Sequence, residues 1–405
     1  MTRELSNWLD AYLEYTDNTE SPISYHQWCG MSVIAGALQR RVYLSWGIGQ
    51  VIYPNLYLVI VGPSGRTRKG VALGIAKDIL KQIPGITIAP ESSSGRESMI
   101  QVMKKAYTNF EDPTDGHTVK FHCATTAFSE ELSVFLGQGN ISYLSNLTDW
   151  YDSKDDWEYE TISRGKDTLQ GLCLNLMGGT APDWLQSMIP QEAVGGGFTS
   201  RVIFIVETAK RKIVPEHTMT QREKDLQEML TRDLERISKM SGAMTMDTDC
   251  KSKYVNWYIE QDKLLSDGQP AVDDPRFAGY CERRATHIRK LMLVCSAARS
   301  DDLTITGNDF DRALSLLEGV EKNMHKTFGG FGRSRTSEPT EIIKNYIEKF
   351  GTTTRKLVLR KFWRDIDADT LTQVEKNLEG SGLIQVKNLF KEQDKIYTWI
   401  GGDSE

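Results

Sequence analysis

The chain opens with apolar positions at helical spacing, Leu5, Trp8, Leu9, Tyr12 and Leu13, which predicts an amphipathic helix. A second helical stretch runs roughly from Tyr25 to Gln39. RVYLSW and NLYLVIV then read as short strands. The unbroken apolar run of the second is the pattern of a strand buried on both faces of a parallel sheet. It leads directly into GPSGRTRKG and then into a helix with Val71, Ile75 and Ile79 at helical spacing. Ser94 and Glu97 form the capping-box pattern of a further helix ending near Tyr107. FHCATTAFSEEL reads as a strand ending in carboxylates, LQGLCLNLMGGTAP as one ending in small residues, and SRVIFIV as another. Strands and helices thus alternate from about residue 40 to 208, which predicts an α/β sheet.

From about Met219 to Phe328 the period becomes helical throughout. Leu226, Met229, Leu230, Leu234 and Ile237 mark it first, then Phe310, Ala313, Leu314, Leu317 and Val320, predicting an all-helical region of about four helices. FGGFGRSRTSEP, residues 328–339, has the glycine and serine content of a linker. EIIKNYIEKF, RKLVLRKFWRDI and TLTQVEKNLEGSG then read as three short helices. GLIQVKNLFKEQDKIYTWIGG reads as two strands around a polar turn from Lys391 to Lys395. Three helices and a hairpin describe a winged helix. The expected division is a sheet-bearing core over 1–208 with the N-terminal helical segment, a helical lid over 209–328, a linker over 329–339 and the winged helix over 340–405.

Composition narrows the picture. The 405 residues are 39% hydrophobic and 26% charged, enough for two or three domains with real cores at roughly 100–200 residues each. The net charge of −6 excludes a uniformly basic nucleic-acid-coating protein, although a local basic stripe can still hold a duplex. The longest apolar run, Leu56 to Val61, falls far short of the roughly 18 residues of a membrane span, so no membrane partner is expected. The N-terminus has a helical stripe instead of a basic segment followed by an apolar core, and does not read as a signal peptide. Six scattered cysteines without a CxxC pair, and no histidines at ligand spacing, point to a cytosolic chain with free thiols and no zinc finger.

The strand, glycine-rich loop and helix around residue 62 are the order of a phosphate-binding unit, in which backbone N–H groups, a helix N-terminus and a lysine converge on negative charge. Gly62, Pro63, Ser64, Gly65, Arg66, Thr67, Arg68, Lys69 and Gly70 make up that loop. The pattern GxxxxGK[ST] is not met. Lys69 follows Gly62 by seven residues instead of six, Arg68 takes the expected lysine place, and Gly70 stands where a magnesium-binding hydroxyl belongs. Thr67 or Ser64 could supply that oxygen, or water could. Such chemistry also needs two carboxylates at the end of a neighbouring strand, and AFSEEL offers Glu130 to hold Mg²⁺ and Glu131 to activate water. The plain alternatives are a glycine turn between strand and helix, and two acids favoured at a helix start by its dipole.

In this order the pieces resemble an AAA+ ATPase, and more narrowly the phage and mobile-element helicases related to the minichromosome maintenance proteins. YPNLYLVIVGPSGRTRKG is similar to the glycine-rich loop of phage proteins with helicase-like ATPase domains. YETISRGKDTLQGLCLNLMGGTAP is similar to the stretch where a pore hairpin leads into the sensor 1 strand. The resemblance places Arg164 and Lys166 on a hairpin facing DNA, and Thr180 where a sensor asparagine is usual. GFTSRVIFI resembles the arginine-finger segment, with Arg201 directed at a neighbouring subunit's nucleotide. RRATHIRKLMLVCSAA with ITGNDFDRALSLLE resembles the lid, with Arg283 or Arg284 as sensor 2. The resemblance covers roughly residues 50–325. It implies an ATP-driven, Mg²⁺-dependent ring, a hexamer, that moves or unwinds DNA in the cytoplasm, the host's cytoplasm if viral, with single-stranded DNA in the pore. An initiator or loader using ATP to control assembly, and a degenerate nucleotide-binding protein, stand as alternatives.

In the C-terminal region Arg355, Lys356, Arg360, Lys361 and Arg364 form an acid-free cationic run suited to duplex phosphates. Thr370, Thr372, Gln373, Lys376 and Asn377 are the outward positions of the expected recognition helix. Asp365, Asp367 and Asp369 crowd the turn before it and reduce the attraction. A winged helix that only mediates protein contacts is the alternative there.

Overall fold

The structure, a computed structural model of the chain, describes residues 3–91, 95–137, 140–161, 165–189, 195–216, 218–328, 337–363, 366–389 and 394–401. It divides into two compact units, Met1–Phe328 and Gly329–Glu405.

Five strands form the central sheet of the first unit: β1 Tyr57–Val61, β2 Ile88–Ala89, β3 Thr118–Ser129, β4 Leu172–Thr180 and β5 Val202–Val206. They are all parallel, in the order β5-β1-β4-β3-β2. Every residue of β1, β4 and β5 is buried, as runs such as YLVIV and VIFIV require when helices cover both faces. A short strand, Thr108–Asp112, folds back antiparallel along the start of β3. Because the strands are parallel, their carboxyl ends share one edge: Val61 pairs with Thr180, and Ser129 with Gly178. The segments after β1, β3 and β4 therefore meet there.

The first helix, Trp8–Tyr15, is capped by the Asn7 side chain and buries Trp8, Leu9, Ala11 and Tyr12. The second, Ile23–Leu38, is buried almost all round, as an uninterrupted apolar helix must be. The loop helix, Lys69–Lys81, buries Ala72, Leu73, Ala76, Ile79 and Leu80. Val71 is 43% exposed, so the buried stripe lies one step round from the expected one. The helix presents its small residues to its neighbours, and Val71, in the first turn, is left facing solvent. Helix Arg96–Lys105 is capped by Gly95 without a side-chain bond, and Ser94 of the expected capping box lies outside the described residues.

Four helices follow where four were expected: Gln221–Ile237, Thr248–Ser266, Ala278–Arg299 and Gly307–Met324. The region is not all-helical, however. Gly242–Met246 and Thr304–Ile305 are strands, paired in parallel with each other and through Gly242–Met246 with Val42–Trp46. Val42–Trp46 pairs antiparallel with Gln50–Ile52, so RVYLSW belongs to this second sheet and not to the central one. Strands of two to five residues are too short to show a period; pairing with a distant partner creates them. The helices belong to the same compact unit as the sheet, with no break at 208.

The second unit comprises helices Ser337–Phe350, Arg355–Phe362 and Ala368–Gly380. Its antiparallel sheet runs in the order Thr352–Thr354, Asp394–Trp399, Ile384–Leu389. Ile343, Ile347, Val358, Ile366, Leu371, Val374, Leu378, Ile384 and Tyr397 form its core. Strand Thr352–Thr354 was not anticipated, although three successive β-branched residues are its signal. Residues 329–336 of the expected linker and 391–393 of the expected wing lie outside the described residues. Among the described residues no helix is long and apolar enough to cross a membrane.

Candidate functional site

The loop after β1 is built around Gly62. A Cβ there would stand 2.5 Å from Tyr25 Oη, 2.6 Å from Thr67 Oγ1 and 2.7 Å from the Glu207 carbonyl, so only glycine fits. Its N–H donates to the Thr180 carbonyl at 3.2 Å, fastening the loop to the end of β4. Thr67 is buried beneath the loop, which removes it as a ligand-facing oxygen; Ser64, Gly65 and Arg66 form the exposed tip. The loop helix begins at Lys69 with no side chain capping it, leaving its first N–H groups to the loop side. Lys69 Nζ lies over the loop and donates to the Gly62 and Pro63 carbonyls at 2.6 and 3.4 Å. Half-burial holds this ammonium below the usual lysine range, and the Glu131 carboxylate acts in the opposite sense. The two charges are thus near enough to act on each other across the space between the loop and the end of β3.

Arg68 does not share that space. The extra residue of the loop is absorbed by Arg68, a non-glycine residue at φ +53°. Its side chain turns outward, and Nε donates to Glu20 at 2.7 Å. Glu20 also accepts from Lys210 Nζ at 2.5 Å and from the Val214 N–H at 3.2 Å, which pull its carboxyl down to about 2. Arg68, which takes the lysine place of the usual pattern, is thus committed elsewhere by Glu20, which no motif marked.

Across β4 from the loop, β3 ends in the two expected carboxylates, both exposed. Ser129 Oγ donates to the Glu131 carbonyl at 2.9 Å and shapes the turn. Glu131 caps helix Leu132–Leu136 by position, but its side chain makes no capping bond, which leaves its carboxylate to the cleft. Glu130 reaches the loop helix: a Cβ on Gly70 would stand 3.1 Å from Glu130 Oε2. Thr180 ends β4 between the two, buried, its hydroxyl donating to the Ala181 carbonyl at 3.2 Å. Among the described residues no cluster of three or more acid, cysteine or histidine side chains could hold a metal alone. A Mg²⁺ held through one carboxylate, water and substrate phosphates fits this donor set.

The remaining arginines lie at the opposite end of the sheet. Arg201 directly precedes β5, whose first residue pairs with the first residue of β1. Five residues of strand, at roughly 3.3 Å each, separate it from the loop. It is 7% exposed, and its guanidinium donates to the Gly197 carbonyl at 2.9 Å and to Asp152 at 3.0 Å. An arginine presented at a surface is not what the chain builds here. Arg284 is buried against Glu321, at 2.7 and 2.8 Å, and Gln261, and is unavailable as a sensor. Arg283 is half-buried beside Arg201 and Asp152, with burial first and Arg201 second depressing its pKa. His287, Tyr151 and Lys290 complete this end: Tyr151 Oη lies 3.3 Å from His287 Nδ1, and Lys290 Nζ donates to Tyr53 O and Asn55 Oδ1 at 3.0 and 2.5 Å.

The expected hairpin is present as Asp156–Thr161 paired with Gly165–Gln170. Arg164 lies outside the described residues, and Lys166 is paired with Glu158 at 2.7 Å. Asp156, Glu158 and Glu160 make its first strand acidic.

In the second unit Arg355 is corrected from a phosphate contact to an internal one. It pairs with buried Glu375 and donates to Ala368 O and Thr372 Oγ1 at 2.8 and 2.9 Å. Lys395, at 2.7 Å, and Tyr397 also donate to Glu375. A carboxylate on the core face of a helix must collect such partners. Its signal was in the sequence, since Leu371, Val374, Glu375 and Leu378 share one helical face. Lys361 Nζ lies over the Tyr346, Phe350 and Phe362 rings at 4.5, 5.6 and 5.9 Å. Lys356, Arg360, Gln373, Lys376 and Asn377 are exposed.

Compared with known proteins, the chain matches no family model and no curated sequence.

Proposed function

We propose that the chain binds a nucleoside triphosphate with Mg²⁺ at the carboxyl edge of the central sheet and hydrolyses it, as an AAA+-type ATPase acting on DNA. One observation carries the reading. Counted along the chain, the strands lie in the order 5-1-4-3-2, with the glycine loop after the first and the carboxylate pair after the third, across the fourth. That arrangement lets one triphosphate touch both.

Lys69 and the N–H groups at the start of the loop helix, which no side chain caps, bind the phosphates. Glu130 would hold Mg²⁺, which when bound would neutralise phosphate charge. Glu131 takes the proton of the attacking water. Arg201 and Arg283, a strand length away, could reach only another copy's nucleotide, and Arg201 would first have to leave Asp152. The ring, the hexamer and the helicase activity rest on the resemblance of the motifs. The helix, strand, helix, helix, hairpin order of the second unit is that of a winged helix, with Arg360, Lys356 and Lys376 as its exposed cations toward a duplex.

The acidic hairpin favours a second reading, in which ATP governs assembly on DNA and no strand is drawn past that hairpin. Nucleotide binding and steady-state ATPase, with and without single-stranded DNA, test both. Wild type should bind ATP, and Lys69→Ala should bind it at least tenfold more weakly through loss of the cation at the phosphates. Equal binding by the two proteins would remove the loop from the function. Stimulation by DNA with directional strand separation selects the motor; turnover without strand separation selects the assembly switch.

A further inference from the structure

The two departures of this loop from the usual pattern touch each other. Gly70 lacks the hydroxyl side chain that ordinarily completes a magnesium site, and the place of its missing Cβ lies 3.1 Å from Glu130 Oε2, with Glu130 Cδ at 3.7 Å. Among the described residues, and apart from its chain neighbours and the backbone of its own helix, no other atom lies within 4 Å of that place. Gly70 is not at a positive φ, and no turn or backbone crowding demands glycine there. The far end of the exposed Glu130 side chain is therefore what a side chain at position 70 would meet first.

We infer that Gly70 and Glu130 are a matched pair: the glutamate, one methylene longer than aspartate, brings its carboxylate into the room a serine or threonine would fill. The inference rests on the proposed nucleotide site and deepens it. Glu130 thereby supplies one anionic oxygen donor where a neutral hydroxyl would otherwise stand, and water takes the remaining position. The site keeps a hard oxygen set suited to Mg²⁺. It does so with position 70 unable to contribute.

Reciprocal exchange tests this through Mg²⁺-dependent affinity for a non-hydrolysable ATP analogue, which needs no turnover. Gly70→Ser alone should crowd the carboxylate and weaken Mg²⁺-dependent binding. Glu130→Asp alone should withdraw the carboxylate and weaken it about tenfold or more, the size typical of disturbed metal-site geometry. The double variant, Gly70→Ser with Glu130→Asp, should recover to within about threefold of wild type, a coupling expected only of residues in contact. Glu130→Gln, which keeps size and fold, should retain Mg²⁺-free binding, lose the Mg²⁺ dependence and gain nothing from Gly70→Ser. Losses that simply add in the double variant overturn the pairing, as does Gly70→Ser that binds more tightly with Glu130 intact. Wild type without Lys69-dependent nucleotide binding would overturn the site as a whole. Lys69-dependent binding with additive losses would overturn the pairing alone.

Discussion

The two ends of the central sheet hold similar side chains in opposite conditions. At the carboxyl end, Glu130 and Glu131 are exposed, neither makes a capping bond, and Lys69 bonds only to loop carbonyls. At the amino end, Arg201, Asp152, Tyr151, His287 and Lys290 are tied to one another and to backbone carbonyls. Burying a charge is costly unless it is paired, so the amino end spends its polar groups on holding helix Ala278–Arg299 to the sheet. Charges left exposed beside a tight glycine loop remain available for a ligand. Under the proposed function, the contrast sets chemistry at one end and cohesion at the other.

The sharpest way to break it is at Glu131. Glu131→Gln should leave nucleotide binding intact and slow turnover by ~10² to 10⁴, the usual loss with a general base. Its melting temperature should barely move, because the exposed side chain makes no hydrogen bond or ion pair among the described residues. A variant that turns over ATP like wild type would take the carboxylate pair out of the mechanism.

Arg201→Ala should behave in the reverse way. It removes a buried guanidinium that bridges Gly197 and Asp152, so thermal unfolding should show a loss of about 1–3 kcal/mol with ATP binding retained. An unchanged melt with turnover restored on mixing with Glu131→Gln subunits would instead make it a finger acting between copies. The amino end would then carry chemistry too.

The next effect is a pH dependence. Burial pushes Lys290 down to about 7, against an unfolded value of about 10.4. Between those values the unfolded chain binds the proton and the folded chain does not, so stability rises with pH across that window and is lowest below about 7. Lys290→Met should flatten that part of the profile relative to wild type in denaturant titrations. A slope identical in both proteins would show that Lys290 stays charged in the fold. Such a lysine was hidden in the sequence, since RKLMLVCSAA shows only a cation at the edge of an apolar run. Its acceptors, Tyr53 and Asn55, lie more than 200 residues earlier. Four of the five parallel strands and the position of both carboxylates were legible because each is a local pattern, an apolar run or an acid pair at its end; Ile88–Ala89, two residues long, carries none. The internal partners of Arg201, Arg284 and Arg355 were not legible, because a single arginine carries no local sign of the carboxylate awaiting it. Asp152, Glu321 and Glu375 decided all three.

The smallest expected effect lies one residue from one of the largest. Lys69 and Arg68 are adjacent cations in the same loop, yet Lys69 bonds the loop carbonyls and Arg68 bonds Glu20. Arg68→Ala removes an exposed ion pair, a kind that contributes little, and Glu20 keeps Lys210 and the Val214 N–H. Nucleotide affinity should change by less than about fivefold, the upper end of what such exposed pairs contribute. Arg68→Gly should fold at least as well, because its φ of +53° is one that glycine adopts without strain. Binding measurements on Lys69→Ala and Arg68→Ala side by side decide the register. Should Arg68→Ala lose as much affinity as Lys69→Ala, the phosphates lie on the outer side of the loop, toward Glu20. The cleft shared by Lys69 and Glu131 would then not be where the ligand sits.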